Sequence, residues 1–170
     1  MKKRIDHILE GREKQITKEE TVRQPLPHSD FRFANPFIVL HHLGPSAIAP
    51  GQELRIHPHP HRGFSPVTFQ LQGEGYHKDS AGHNSVIKAG DVQWMFAGKG
   101  ILHSEGPTAN LLQKGGTQEL LQLWVNVPKS HNGMNHLIKR QPGICSQVCW
   151  IRKGWICAWP AAHTRARQAR

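Results

Sequence analysis

Two pairs of side chains spaced i and i+2 are the residues of this sequence best suited to metal chemistry. His59 and His61 form the first pair, and His103 and Glu105 form the second, about 40 residues further along the chain. In an extended strand, side chains two positions apart point to the same side, so two strands can present four ligands to one point. Imidazoles and a carboxylate suit divalent transition metals, whereas calcium and magnesium prefer oxygen ligands. The spacing therefore predicts one transition-metal site.

Histidine is abundant in this chain, so a single His-x-His pair is weak evidence for metal binding. The chain holds 13 histidines in 170 residues, so one His-x-His spacing alone would be unremarkable. The second pair, on a different predicted strand, is what favours metal binding. His57 and His59 have the same spacing as His59 and His61, so the residues by themselves leave the ligand register open. Packing, hydrogen-bonding or turn roles are expected for His41, His42, His77 and His83.

The elements that must position these ligands are predicted to be short β-strands. Residues 67–72 alternate strictly between apolar and polar types, as expected of a strand with one buried face. A second alternating strand covers 119–127 and is stopped by Pro128. Glycine-containing turns recur from position 73 to 107, and no long helical pattern separates them. The pattern predicts an all-β fold with jelly-roll or related double-sheet closure, and at most a helical stretch in the charged first 24 residues.

Charge and composition exclude several functional classes for most of the chain. Of 22 Lys and Arg, 14 lie in residues 1–128 with all 12 Asp and Glu, which leaves a net charge of +2 there. Nucleic-acid binding is therefore not expected of this part. Neither an apolar run of about 18 residues nor a signal-peptide core is present, so we expect a cytoplasmic protein without membrane contact. The three cysteines, an odd set without paired spacing, predict neither a disulfide framework nor a zinc site.

Residues 129–170 differ from the rest of the chain. They contain eight basic residues, no acidic residue, all three cysteines and three of the five tryptophans. Because they lack a core-forming pattern, we interpret them as a basic, mostly disordered tail that follows a domain at 1–128. Two alternatives stay open. The segment could be a basic arm that contacts nucleic acid through phosphates and stacking, or a segment never selected for folding, such as the product of a reading-frame shift.

Three segments resemble the signature blocks of the pirin family within the cupin superfamily. They are HPHRGF at 59–64, GDVQWMFAGKGILHSEGP at 90–107 and LQLWVNVP at 121–128. The resemblance spans roughly residues 37–128 and implies a cupin-type jelly-roll β-barrel, the amino-terminal half of a two-barrel family. It also implies that the metal ligands are His59, His61, His103 and Glu105, which selects His61 over His57.

The resemblance carries expectations about activity as well. It implies a metal-dependent, quercetin 2,3-dioxygenase-type oxidoreductase with iron as its cofactor and a small, flavonol-like aromatic substrate. Glu105, as the only carboxylate of the set, is the expected catalytic residue, a general base for the substrate hydroxyl. The alternatives are a metal- or redox-sensing regulatory protein that binds a protein partner without turnover, and an inactive, truncated family member. Further pocket or packing candidates are Arg62, Gln93, Trp94 and Met95, the last two leaning towards the core.

Two departures from the family pattern matter. Ser65 stands where many members carry a glutamate after the His-x-His pair, so one carboxylate is missing. Pirins also continue into a second barrel, which residues 129–170 do not resemble. Without that second half, part of the first would be uncovered, so we expect exposed apolar surface with self-association or low stability.

Overall fold

Strands dominate the regular structure of this protein. The computed structural model describes residues 6–18, 20–32 and 34–143, together with the backbone at 150–151 and 154–155. The all-β prediction is confirmed. The strands are β1 Arg12–Gln15, β2 Thr21–Leu26, β3 Phe37–Ile48, β4 Ile56–His61, β5 Phe64–Gln72, β6 Glu74–Asp79, β7 Asn84–Lys88, β8 Val92–Phe96, β9 Ile101–Pro107, β10 Gly116–Asn126, β11 Leu137–Gln141, β12 Trp150–Ile151 and β13 Gly154–Trp155; helix α1 is Ala109–Lys114, and a 3-10 turn covers Lys129–His131.

Two antiparallel sheets form the fold. The larger sheet has seven strands in the order β1-β2-β3-β10-β5-β8-β11, and the smaller has four in the order β4-β9-β6-β7. β12 and β13 pair with each other. Residues from the two sheets line one cavity. This is the double-sheet closure expected from the sequence, with the two predicted ligand pairs on neighbouring strands, β4 and β9.

The larger sheet has a cavity face and, on its other side, an apolar face whose Val67 is only 3% exposed. On β10, Leu120, Gln122 and Trp124 line the cavity, so the intervening Leu123 lies on the other face. Leu123 pairs with Leu40 on β3 and with Val67 on β5. Val67 in turn pairs with Trp94 on β8. We call the row Leu40, Leu123, Val67 and Trp94 the outer apolar row.

Met95 and Trp94 are neighbours on β8, and both are expected from sequence to lean towards the core, but only Met95 is buried. Met95 is 2% exposed and packs with Ala97 and Ile101, as expected. Trp94 is 42% exposed, so the prediction for it was wrong. The reason is the period of two in a strand, which places neighbouring residues on opposite faces.

The charged amino-terminal region also differs from expectation. Instead of a helical stretch, β1 and β2 form an antiparallel hairpin that extends the larger sheet at the edge of β3. Val22 on β2 is 5% exposed and lines the cavity. Burial of this β-branched side chain and pairing with β3 outweigh the local helix preference of the charged residues.

The chain past Pro128 contributes one strand to the larger sheet. β11 pairs with β8, and Ile138 packs against the core cluster around Met95. The predicted boundary at 128 and the predicted tail at 129–170 stay predictions, because most of 144–170 lies outside the described residues. Neither of the helices described has the length and hydropathy needed to cross a membrane.

Candidate metal centre

Three of the four predicted ligands meet in one place. β4 pairs antiparallel with β9, which sets His59 directly opposite His103. The ring centroids are 4.4 Å apart for His59 and His103, 4.8 Å for His59 and His61, and 4.7 Å for His61 and His103. One nitrogen from each ring lies within 4.8 Å of the others. The arrangement could hold one metal ion.

The local sequence explains why β4 can present two histidines. Pro58 and Pro60 alternate with His59 and His61 along the strand. Proline has no N–H to donate, so it is tolerated on edge strands. β4 is the edge of the smaller sheet, and the fixed backbone angle of each proline favours extended chain. His57 is exposed, and its imidazole is not part of the cluster.

His103 is oriented by a buried chain of hydrogen bonds. His77 Nε2 lies 3.1 Å from Asp79 Oδ2, and both side chains are fully buried. Because a carboxylate only accepts, Nε2 carries the proton and His77 Nδ1 keeps a lone pair. His103 Nδ1 lies 3.3 Å from His77 Nδ1 and donates to its lone pair. His103 Nε2 is then unprotonated, buried, and without a hydrogen-bond partner among the described residues.

His59 is fixed in the same tautomer. Its Nδ1 donates to the carbonyl oxygen of His57 at 2.8 Å, which leaves a lone pair on Nε2. Two of the three rings therefore turn an unprotonated Nε2 away from the groups that orient them. Metal-bound histidines usually show this pattern, with the second ring nitrogen held by a carbonyl or another acceptor.

The electrostatics favour neutral imidazoles. Burial, and then the neighbouring rings of His59, His61 and His77, lower the pKa of His103 to about 2. Burial and His59 lower the pKa of His61 to about 4. Neutral imidazole is the form that binds metals, so both residues are ready to bind at neutral pH.

Asp79 anchors the hydrogen-bond chain as a carboxylate. Burial alone would raise its pKa, but hydrogen bonds from His77, from the backbone N–H groups of His83 and Ala81 and from the His83 side chain outweigh it and lower the pKa. The ionised carboxylate is what obliges His77 to donate from Nε2. The tautomer of His103 thus depends on a residue in another strand.

Glu105, the fourth predicted ligand, lies outside the 4.8 Å cluster of histidine nitrogens. Its two oxygens accept hydrogen bonds from Gln122 Nε2 at 2.9 and 3.1 Å. Gln122 is itself held by Trp124, whose indole N–H donates to Gln122 Oε1 at 3.0 Å. The carboxylate is therefore held in place by Gln122, and its role as ligand and general base stays a prediction.

The cluster adjoins a cavity between the two sheets. The cavity has a volume of about 320 Å³, and His59 and Glu105 belong to its lining. Such a volume lies at the small end of the range of ligand sites. Trp124 lines it too, stacked on Phe64 at 4.7 Å and edge-on to His61 at 5.2 Å. Apolar walls come from Val22, Leu43, Ile56, Ile87 and Leu120.

Sequence reasoning missed several members of the site. Hydrogen bonding was expected of His77, but not its contact with His103, because a lone histidine carries no spacing signal. Nothing in the sequence singled out Gln122. Of the other candidates, Gln93 is buried and accepts from Ser85 Oγ at 3.2 Å, whereas Arg62 is exposed.

Comparison with known proteins points to one family. Residues 16–125 match the family model for pirin. A pirin-like protein of Caulobacter vibrioides is 40% identical over 126 residues, 73% of this chain and 43% of that protein. A pirin-like protein of Arabidopsis thaliana is 46% identical over 107 residues, 62% of this chain and 32% of that protein. The match to the family model begins at residue 16. The resemblance noted from the sequence alone begins only near residue 37.

Solved structures agree with the fold. The crystal structure of a quercetin 2,3-dioxygenase from Acinetobacter baumannii superposes with a TM-score of 0.72 at 33% identity, over 83% of this chain and 49% of that one. The present chain therefore spans less than half the length of each of these three proteins.

Proposed function

The chain belongs to the pirin family, and from this premise we propose that His59, His61, His103 and Glu105 hold one divalent metal ion, iron in the cell. We propose further that the metal-loaded chain is a quercetin 2,3-dioxygenase-type oxidoreductase of the cytoplasm that acts on a flavonol-like aromatic substrate. The observation that carries the proposal is the buried His103 Nε2. It has no partner in the described part of the chain, and it belongs to a cluster of three imidazoles beside a cavity.

The donor set fits a transition metal. A buried lone pair without a partner is costly, and a bound cation would satisfy it. Three neutral imidazoles are ligands of intermediate softness, which suits iron and its neighbours in the first transition row. When bound, such a metal supplies open coordination positions for a substrate hydroxyl and dioxygen.

Glu105 supplies the proton chemistry in this proposal. The carboxylate accepts the proton of the substrate hydroxyl on one oxygen, which leaves the substrate as the oxyanion. Gln122 keeps the carboxylate aimed at the cavity. A carboxylate offers about four lone-pair positions, so ligation of a metal and the bond from Gln122 are compatible.

The remaining residues orient the substrate and exclude water. Ile56, Leu120 and Trp124 line the cavity next to His59 and Glu105, so a flat aromatic molecule would replace water there. Burial of aromatic surface supplies the binding free energy, and the fixed side chains supply the orientation.

Metal analysis of the purified protein tests the proposal. We expect close to one equivalent of metal in the wild type and little in a His59→Ala, His103→Ala double variant. His57→Ala is the matched control, because it removes an exposed imidazole from the same strand that lies outside the cluster. Oxygen consumption with a flavonol would then measure turnover. Equal, low metal content in all three proteins would contradict the metal site, and a metal-loaded protein without flavonol turnover would contradict the activity.

A further inference from the structure

We propose that Gln70 accepts a hydrogen bond from a ligand hydroxyl at the end of the cavity remote from the histidines. The preferred ligands are then aromatic compounds of two or three rings that carry a hydroxyl on the ring farthest from the metal-binding group. The inference rests on the proposed function, because it places the other end of the ligand at the histidine cluster.

The amide of Gln70 is held in one orientation. Its side chain is fully buried and lines the cavity. Nε2 donates to the backbone carbonyl of Gln72 at 2.7 Å and lies 3.5 Å from the carbonyl of Glu119. A flipped amide would set Oε1 against two acceptor oxygens, so the observed orientation is the stable one. Oε1 is consequently fixed, buried, and without a donor within the described ranges.

Gly75 lies against this oxygen in the cavity lining. Gly75 also lines the cavity, and a Cβ added there would lie 3.2 Å from Gln70 Oε1. Its φ is not positive, so the backbone conformation does not require glycine at this position. The missing side chain instead avoids a close contact with the acceptor.

The surroundings select the kind of donor. A buried amide oxygen without a partner is unfavourable, so a donor that enters the cavity gains a hydrogen bond at little desolvation cost to the protein. Leu43, Ile87 and Leu120 line the same cavity. Lys14 and Glu20 belong to the lining as well, but these three apolar side chains penalise a charged ammonium group and favour a neutral hydroxyl. A carboxylate would face the oxygen acceptor to acceptor and is disfavoured.

Strand geometry sets the length of the ligand. On the ladder between β6 and β9, Asp79 pairs with His103 and Gly75 pairs with Pro107. The four residues from 103 to 107 span roughly 13 Å of extended chain. Taking the metal as level with His103 and Oε1 as level with Gly75 along this ladder, about 2 Å for a metal–ligand bond and about 2.8 Å for a hydrogen bond leave roughly 8 Å between the two ligand oxygens. That separation suits two or three aromatic rings.

Binding of two matched flavonols tests the proposal. One carries hydroxyls on its pendant ring and the other lacks them, and Kd is measured for the metal-loaded wild type and for Gln70→Met. We expect the wild type to bind the hydroxylated flavonol about tenfold more tightly, as one buried hydrogen bond provides. Gln70→Met, which has similar volume but no amide oxygen, should bind both equally. Gln113→Met is the control, because Gln113 is exposed and is not part of the cavity lining.

Gly75→Ala gives an independent variant, because it crowds Oε1 without removing the hydrogen bonds of Gln70. It should also reduce the preference for the hydroxylated flavonol. If circular dichroism shows that Gln70→Met is unfolded, Gly75→Ala is the variant that tests the inference. Equal affinity of the wild type for the two flavonols, or a preference that survives both variants, would overturn the inference while leaving the proposed function intact. Failure of the metal-loaded wild type to bind either flavonol would overturn both.

Discussion

Removing the His77 imidazole should weaken metal binding, although His77 is not a ligand. In His77→Phe, His103 Nδ1 loses its acceptor, the buried ring loses the group that fixes its tautomer, and the aromatic volume is kept. Outer hydrogen bonds of this kind typically change metal affinity 10- to 100-fold. The 3.3 Å separation of the two Nδ1 atoms is long for a hydrogen bond, which favours the lower end of that range. We therefore expect Kd to rise about tenfold, or about 1.4 kcal/mol.

Competition between the protein and a chromophoric chelator for Co²⁺ or Ni²⁺ measures this change. His77→Gln provides a conservative comparison, since its amide oxygen can still accept from His103 and should recover part of the affinity. His83→Phe is the matched control, because His83 contacts Asp79 and is 45% exposed, but has no hydrogen bond to His103 among those described. Circular dichroism of the metal-free variants checks folding.

Two results would refute this reasoning. If folded His77→Phe bound metal as tightly as the wild type, the contact between His77 and His103 would have no part in the site. If His83→Phe weakened binding as much as His77→Phe, the effect would arise from Asp79 and general packing rather than from the orientation of His103.

Three further predictions follow from the same geometry. Burial lowers the pKa of His41 and His61 to about 4 and that of His103 to about 2, so below pH 6.5 the unfolded chain takes up protons that the folded chain does not. The metal-free protein should therefore lose stability as pH falls from 6.5 to 4, and a urea midpoint that stays constant across this range would contradict the burial. Gln122→Leu frees Glu105 from its hydrogen bonds and should lower the flavonol turnover of the metal-loaded protein about tenfold, whereas Gln113→Leu on the surface should not. Leu123→Lys, in the outer apolar row, should shift the protein towards monomer in sedimentation velocity, and a wild type that is monomeric at high concentration would show that the row drives no association.

The ligand strands could be predicted from sequence because their signal is local. His59 and His61, like His103 and Glu105, have the spacing of one strand face, and β4 and β9 carry them as expected. The pairing of β4 with β9 could not be predicted, since it depends on the order of strands in a sheet rather than on either segment.

The role of His77 could not be predicted from sequence either, because it also depends on strand pairing. Its neighbours on β6 give no metal or catalytic spacing, and its contact with His103 exists only because β6 pairs with β9. Trp94 was expected in the core for a related reason. Its apolar residue type does not show which face of the strand is covered by the rest of the fold. Local pattern thus pointed to the candidate ligands, whereas the contacts that support them required the tertiary structure.

The position of β4 at the edge of its sheet has a consequence for the durability of the fold. With Pro58 and Pro60 unable to donate, this strand has fewer backbone hydrogen bonds than an inner strand could form. A metal ion shared by His59, His61 and His103 would fasten β4 to β9 across some 40 intervening residues, as a reversible cross-link does. Metal loading would then govern how quickly this edge opens, and so how readily proteases and hydrogen exchange reach the segment that carries two of the ligands.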